Sequence, residues 1–333
     1  MYNQDIKKEF VQTYTGEARR QAALNMFNII EKYEDEWHAD VCTVSTEQLK
    51  SMITELSGAR SSSFRFYLSI LKGYVNWVID GDRIDGACRA IFEIDQPGTE
   101  KFRKQMVVNP EHLQLYMDCL FDSEEEETVD SVYRCYFWLA FVGLDEEEAV
   151  NVKCTDVNLK RMSVAVKEDE YPLPKESAPA FKNCATLGSF RLNHPIYTID
   201  VRHDRVAGNE LLRGVKTGAS MYTIREAISR RQKNKSSWRG KMRLNPNVDM
   251  DLKLSYGRVK LSGLFYRQYE IEKKAKTCPD FVPVALEFMG DYQYKLDKSR
   301  NSREAKVRQV TAGYLKDYER WKEAYSLPSY YNG

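Results

Sequence analysis

Apolar residues recur at helical spacing along most of this chain. Within residues 17–35, Leu24, Phe27 and Ile30 stand at three-residue steps with polar residues between, and the charged stretch Glu31–Glu36 closes that amphipathic helix. Ser45-Thr46-Glu47-Gln48 fits a capping box, in which a hydroxyl and a side chain three residues on satisfy orphan backbone groups; it predicts a helix over about 46–56, closed by Gly58. Ser61-Ser62-Ser63 caps a third helix through Phe66, Leu68, Leu71, Tyr74, Trp77 and Val78, with Gly81 as its stop. Residues 1–93 therefore read as a small helical bundle.

Residues 94–110 interrupt the periodicity with Pro97, Gly98 and Pro110, and are read as a linker. A second domain is expected over 111–333. It begins with a helix near 110–121, the acidic loop Asp122–Glu127 and a buried helix over Val132–Leu144. The period then changes. Val157, Met162, Val164 and Val166 alternate with polar neighbours up to Pro172-Leu173-Pro174, which predicts a hairpin or three-stranded sheet within 151–174. Helices are expected again at about 174–190, 221–232, 254–275, 281–289 and 303–325. The fold class is thus mainly α with a small antiparallel β-sheet.

Composition narrows the function classes. Hydrophobic residues make up 42% of the 333, ample for packed cores, and no apolar run is long enough to span a membrane. Met1–Asp5 carries no apolar segment of the signal-peptide kind, so a cytoplasmic location is expected. The seven cysteines (42, 88, 119, 135, 154, 184, 278) are scattered and never spaced Cys-x-x-Cys, and none of the four histidines neighbours one at ligand spacing. That argues for reduced thiols, and against a disulfide framework, a metal site or a cofactor.

The order of elements and several motifs resemble the tyrosine recombinase (phage integrase) superfamily, of which the chain looks like a degenerate member. Residues 61–77 look like the last long helix of that family's core-binding domain. Trp138–Ala149 is similar to its first catalytic box, and Asn151–Leu159 to the turn into its sheet. Val259–Arg267 falls at its second box and Phe288-Met289-Gly290-Asp291 at its Leu-Gly-His motif, with Tyr314 nearest the nucleophile's place. The resemblance implies a two-domain clamp around DNA, a helical core-binding domain followed by a catalytic-like one. It also locates what is missing. The first phosphate-holding arginine is replaced by Asp145, the histidine and arginine of the second box by Val259 and Ser262, and the later histidine by Asp291. Lys167, on the hairpin, stands at the place of the family's catalytic lysine. Each lost contributor is typically worth ~10²-fold or more in rate, so no catalytic residue set is expected.

A basic segment stands out from a net charge of +1. Between 225 and 243 lie Arg225, Arg230, Arg231, Lys233, Lys235, Arg239, Lys241 and Arg243, opposed only by Glu226. Without alternating acids this is not a salt-bridged helix face, and phosphates would attract it. Arg60, Ser62, Arg65 and Lys72 form a weaker candidate set at a helix N-terminus, where simple capping is the rival explanation. Lys260 and Arg267 flank the lost second box. The aromatic stripe Tyr314, Tyr318, Trp321 and Tyr325 suits core packing, or docking of a regulatory protein or a second copy.

These features lead to the expectation of a protein that binds double-stranded DNA at operator sites without cutting it. From the family, a transcriptional repressor maintaining a prophage in lysogeny is inferred. The alternatives are a divergent active recombinase, a non-specific architectural DNA-binding protein and an interaction module without DNA.

Overall fold

The computed structural model describes residues 2–57, 61–94, 100–121, 127–191, 201–233, 252–290 and 303–331. The architecture is mainly helical with a small antiparallel sheet, as the periodicity predicts. Its contacts divide the chain into two units: Met1–Phe102 with Phe281–Ala324, and Arg103–Asp280 with Tyr325–Gly333. No described helix is long and apolar enough to cross a membrane.

The first unit is built on α1 (Gln4–Gln12), α2 (Glu17–Trp37), α3 (Thr46–Ser57) and α4 (Ser61–Asp80). The Ser45 capping box forms as expected: Gln48 Oε1 accepts the Ser45 amide at 3.0 Å, and Ser45 Oγ accepts the Gln48 amide at 3.3 Å. Phe10, Phe27 and Tyr74 pack edge to face at centroid separations of 5.1–6.2 Å and form the aromatic centre of the core. α1 does not figure in the sequence reading, and the reason is Lys7. Its ammonium points inward to Glu34, lies 3.0 Å from Asp40 and donates to the Tyr2 carbonyl at 2.6 Å, with all three charged side chains buried. A helix that spends one inward position on a lysine shows a short apolar face, with Phe10 and Val11 buried and Ile6 partly so.

In sequence order, the chain then runs through α5 (Glu100–Gln105), α6 (Pro110–Leu120), α7 (Asp130–Val142) and α8 (Glu146–Asn151). α5 falls inside the stretch read as linker. The sheet consists of β1 (Val157–Asn158), β2 (Ser163–Val166) and β3 (Asp169–Pro172), antiparallel in that order with Val164 opposite both Val157 and Tyr171. α9 (Ala178–Thr186) is shorter than the helix expected over 174–190. The chain leaves it for a second antiparallel pair, β4 (Ser189–Arg191) with β5 (Arg202–Asp204). α10 (Met221–Lys233) and α11 (Tyr256–Ala275) belong to the second unit, and α12 (Val282–Gly290) and α13 (Arg303–Ala324) to the first.

α7 is the axis of the second unit. All but one of its residues are buried, and from Cys135 to Val142 it reads as continuously apolar because α9 and α11 both pack on it. α11 crosses it very closely: a Cβ on Gly263 would lie 1.7 Å from the Phe141 carbonyl oxygen. Arg205 ties the β4–β5 end together. Buried, it donates to the carbonyls of Cys184 (2.5 Å), Leu187 (3.2 Å), Leu211 (2.8 Å) and Arg213 (3.1 Å), with its guanidinium over the Phe190 ring. The fork geometry of arginine is what lets one side chain bond four carbonyls.

In the first unit, α13 packs on α4 and α12. Tyr318 and Trp321 are fully buried, and Phe281 stacks on Tyr314 at 6.0 Å. This part of the aromatic stripe is therefore core. Tyr325, in the second unit, donates to the Met106 carbonyl at 2.5 Å.

Candidate nucleic-acid interface

In the second unit, α7 ends at Gly143, whose φ of +116° turns the chain sharply before Asp145 caps α8. Asp145 and Glu148 form a capping box across that first turn. The acidic run Asp145–Glu148 is thus fixed by its own helix start, in the place where the resemblance puts a phosphate-holding arginine.

Three basic side chains from three other elements converge on this run. Arg225 from α10 grips Glu146 with both arms of its guanidinium, Nε lying 2.5 Å from Oε1. Lys260 from α11 places its ammonium 2.5 Å from Asp145 Oδ1. Lys167, at the β2–β3 turn with φ +57°, places its own 2.6 Å from Glu148 Oε1. Behind them, the Tyr136 hydroxyl donates to Glu146. Tyr256 lies against Tyr136 at 4.7 Å and bonds the Leu144 carbonyl at 3.0 Å. Burial holds both phenols above their ordinary pKa, and the bond to Glu146 adds to the rise at Tyr136. The carboxylate partners in turn favour the charged forms of Arg225 and Lys167. The arrangement is a structural network in which each of the three cations has a carboxylate.

The positions that the resemblance assigns to the second box serve packing. Val259 is fully buried in the core. Ser262 is also buried; its hydroxyl accepts the Val107 amide at 3.1 Å and donates to the Arg258 carbonyl at 2.8 Å. Arg267 donates to the Phe141 carbonyl at 2.6 Å.

α10 carries the basic character outward. Ile224 and Ile228 are buried, which leaves Tyr222, Arg225, Glu226, Arg230 and Lys233 exposed on the opposite side. Arg230 is 3.2 Å from Glu226 one turn back. Arg231 turns aside instead, pairing at 2.5 Å with the buried Asp130 and lying over Phe121 and Tyr133. Tyr222, 77% exposed at the start of this face, was not singled out by sequence, since one aromatic among polar residues carries no periodic signal. In the first unit, Arg65 is exposed, and Lys72 is half-buried beside the Ile94 carbonyl and over the Phe92 ring. Arg60, Lys235, Arg239, Lys241, Arg243 and Asp291 lie outside the described residues. Ser62 is in the first turn of α4, its side chain outside that description too.

Residues 1–80, the stretch ending with α4, match the family model described as "MrpR, N-terminal core-binding domain". Among solved structures the chain is similar to the Tn1549 transposon integrase in complex with a circular intermediate DNA, at 10% identity, over 80% of this chain and 86% of that one, with a TM-score of 0.33. It is also similar to XerA recombinase, at 10% identity, over 82% and 98% of the two chains, with a TM-score of 0.26. No curated protein matches.

Proposed function

We propose that this protein binds double-stranded DNA at specific sites without cleaving it, and that it acts as a transcriptional repressor holding a prophage in lysogeny. The observation that carries the reading is the acidic run Asp145–Glu148. The resemblance assigns this position to a cationic donor on the scissile phosphate, and the carboxylates found there engage Arg225, Lys260 and Lys167. Val259 and Ser262, at the second box, are buried in packing roles. A phosphoryl-transfer transition state gathers negative charge and is stabilised by preorganised donors; this cluster offers it neutralised cations and carboxylate repulsion.

DNA binding is supported by the exposed basic face of α10, which leads into Lys235, Arg239, Lys241 and Arg243, and by the similarity of residues 1–80 to a core-binding domain. The repressor role follows from the combination, because a bound and uncut site obstructs polymerase. The finer resemblance is to the integrase-fold master repressor of SP-beta-type Bacillus prophages.

A nicked suicide duplex tests the loss of cleavage. The protein is expected to retain the duplex and form no covalent adduct that survives denaturation. An adduct that disappears in Tyr314→Phe would establish an active recombinase instead.

A further inference from the structure

The cluster around α8 has the form of an anion site already filled. Cations on a hairpin turn, on α10 and on α11 have no sequence relation to each other, yet all three reach one four-residue run. Convergence of that kind builds a phosphate site when the centre is open. Here the centre holds the chain's own carboxylates.

We propose that the acidic run is an internal phosphate mimic, which occupies a latent nucleic-acid backbone site formed by Arg225, Lys260 and Lys167. The inference rests on the DNA-binding reading and adds a restraint to it. The three pairs are exposed on at least one side: Lys167 is 76% exposed, Arg225 61% and Asp145 60%. An ion pair with one member in water is screened, and a competing anion can exchange for the carboxylate. A backbone phosphate that reaches the cluster therefore competes with a tethered carboxylate for each cation. Contacts held in this way contribute less to non-specific affinity than open cations, so retention depends more on contacts made elsewhere. Glu147 provides an internal reference. It lies in the same run and is exposed, and no hydrogen bond or ion pair of its side chain is found among the described residues.

The test uses the full chain and a mixed-sequence duplex, with affinity followed over a salt titration. Glu146→Gln keeps an acceptor for Tyr136 but removes the charge that holds Arg225. It is expected to tighten binding several-fold and to steepen the dependence of log K on log salt by about 0.9, the increment for one further phosphate contact. Glu147→Gln removes the same charge from the neighbouring position and should leave the slope unchanged. The triple variant Asp145→Asn, Glu146→Gln, Glu148→Gln keeps both capping functions, since Asn caps as well as Asp and Gln replaces Glu in the box. Its slope should steepen by roughly 2.7, and adding Arg225→Gln should take back about a third of that increase.

Wild type that binds, with Glu146→Gln indistinguishable from Glu147→Gln, overturns the mimic and leaves the DNA-binding reading standing. Wild type that fails to bind, with a triple variant that does, supports the latent site and overturns DNA binding as the native function. Failure of both to bind overturns the two together.

Discussion

The Ser262 hydroxyl accepts the backbone amide of Val107 at 3.1 Å, 155 positions away in the chain, and both residues are fully buried. The position that the resemblance assigns to a phosphate-binding arginine thus anchors the start of the second unit to α11. Ser262→Ala removes the buried hydroxyl that accepts from the Val107 amide. Its expected cost is about 1–3 kcal/mol of stability, read as a lower urea midpoint, with DNA affinity unchanged. A loss of DNA affinity at full stability would give Ser262 a contact role instead.

Gly263 permits the α7–α11 crossing. Because its missing Cβ would meet the backbone oxygen of Phe141, Gly263→Ala has to push the helices apart and disturb the Arg267–Phe141 bond. A destabilisation of about 1–3 kcal/mol or more is expected. Gly257→Ala, in the same helix with open space around it, serves as the control and should be neutral or stabilising. Equal thermal shifts in the two variants would contradict the close crossing.

Glu34 sets a pH dependence in the first unit. Burial holds its carboxyl above the ordinary range, and Lys7 offsets this only in part. A carboxyl whose folded pKa is raised contributes stability below its unfolded pKa and loses it as pH rises through the folded value. Glu34→Gln removes that titration while Asp40 still pairs with Lys7. The variant's stability relative to wild type should therefore grow from pH 5 to pH 8 in denaturant melts. A constant or shrinking difference would mean that the Lys7 pairing outweighs burial.

Arg230 and Lys233 are exposed on the α10 face. Replacing both with Gln should weaken duplex binding across sequences and reduce the salt slope by roughly 1.8 if each meets one phosphate. Arg231→Gln should act differently, through stability, since it removes the ion pair that Arg231 makes with the buried Asp130. An unchanged slope in the double variant would remove this face from the interface.

What the sequence revealed follows from what its patterns encode. α2, α3 and α4 were legible because each buries one stripe, and the three-stranded sheet because β2 alternates. α1 was hidden by the inward Lys7. The β4–β5 pair was hidden because its strands are three residues long and β5 is exposed throughout. In the candidate site, the resemblance singled out Asp145, Val259 and Ser262 position by position, as residues unlike those of a recombinase. The partners of the acidic run were not: Lys167, Arg225 and Lys260 pair with it across 19, 79 and 115 positions, and no local spacing encodes such contacts. For the same reason Arg225 and Arg231 looked alike in a basic run, although one pairs with Glu146 at the edge of the acidic run and the other with the fully buried Asp130.

The most direct test of the central claim is to sequence genomic fragments retained by the purified protein at about physiological salt. A few discrete sites that share one motif, lie near promoters and are recovered uncut are the expected result. Uniform retention of fragments, or none at all, would contradict it.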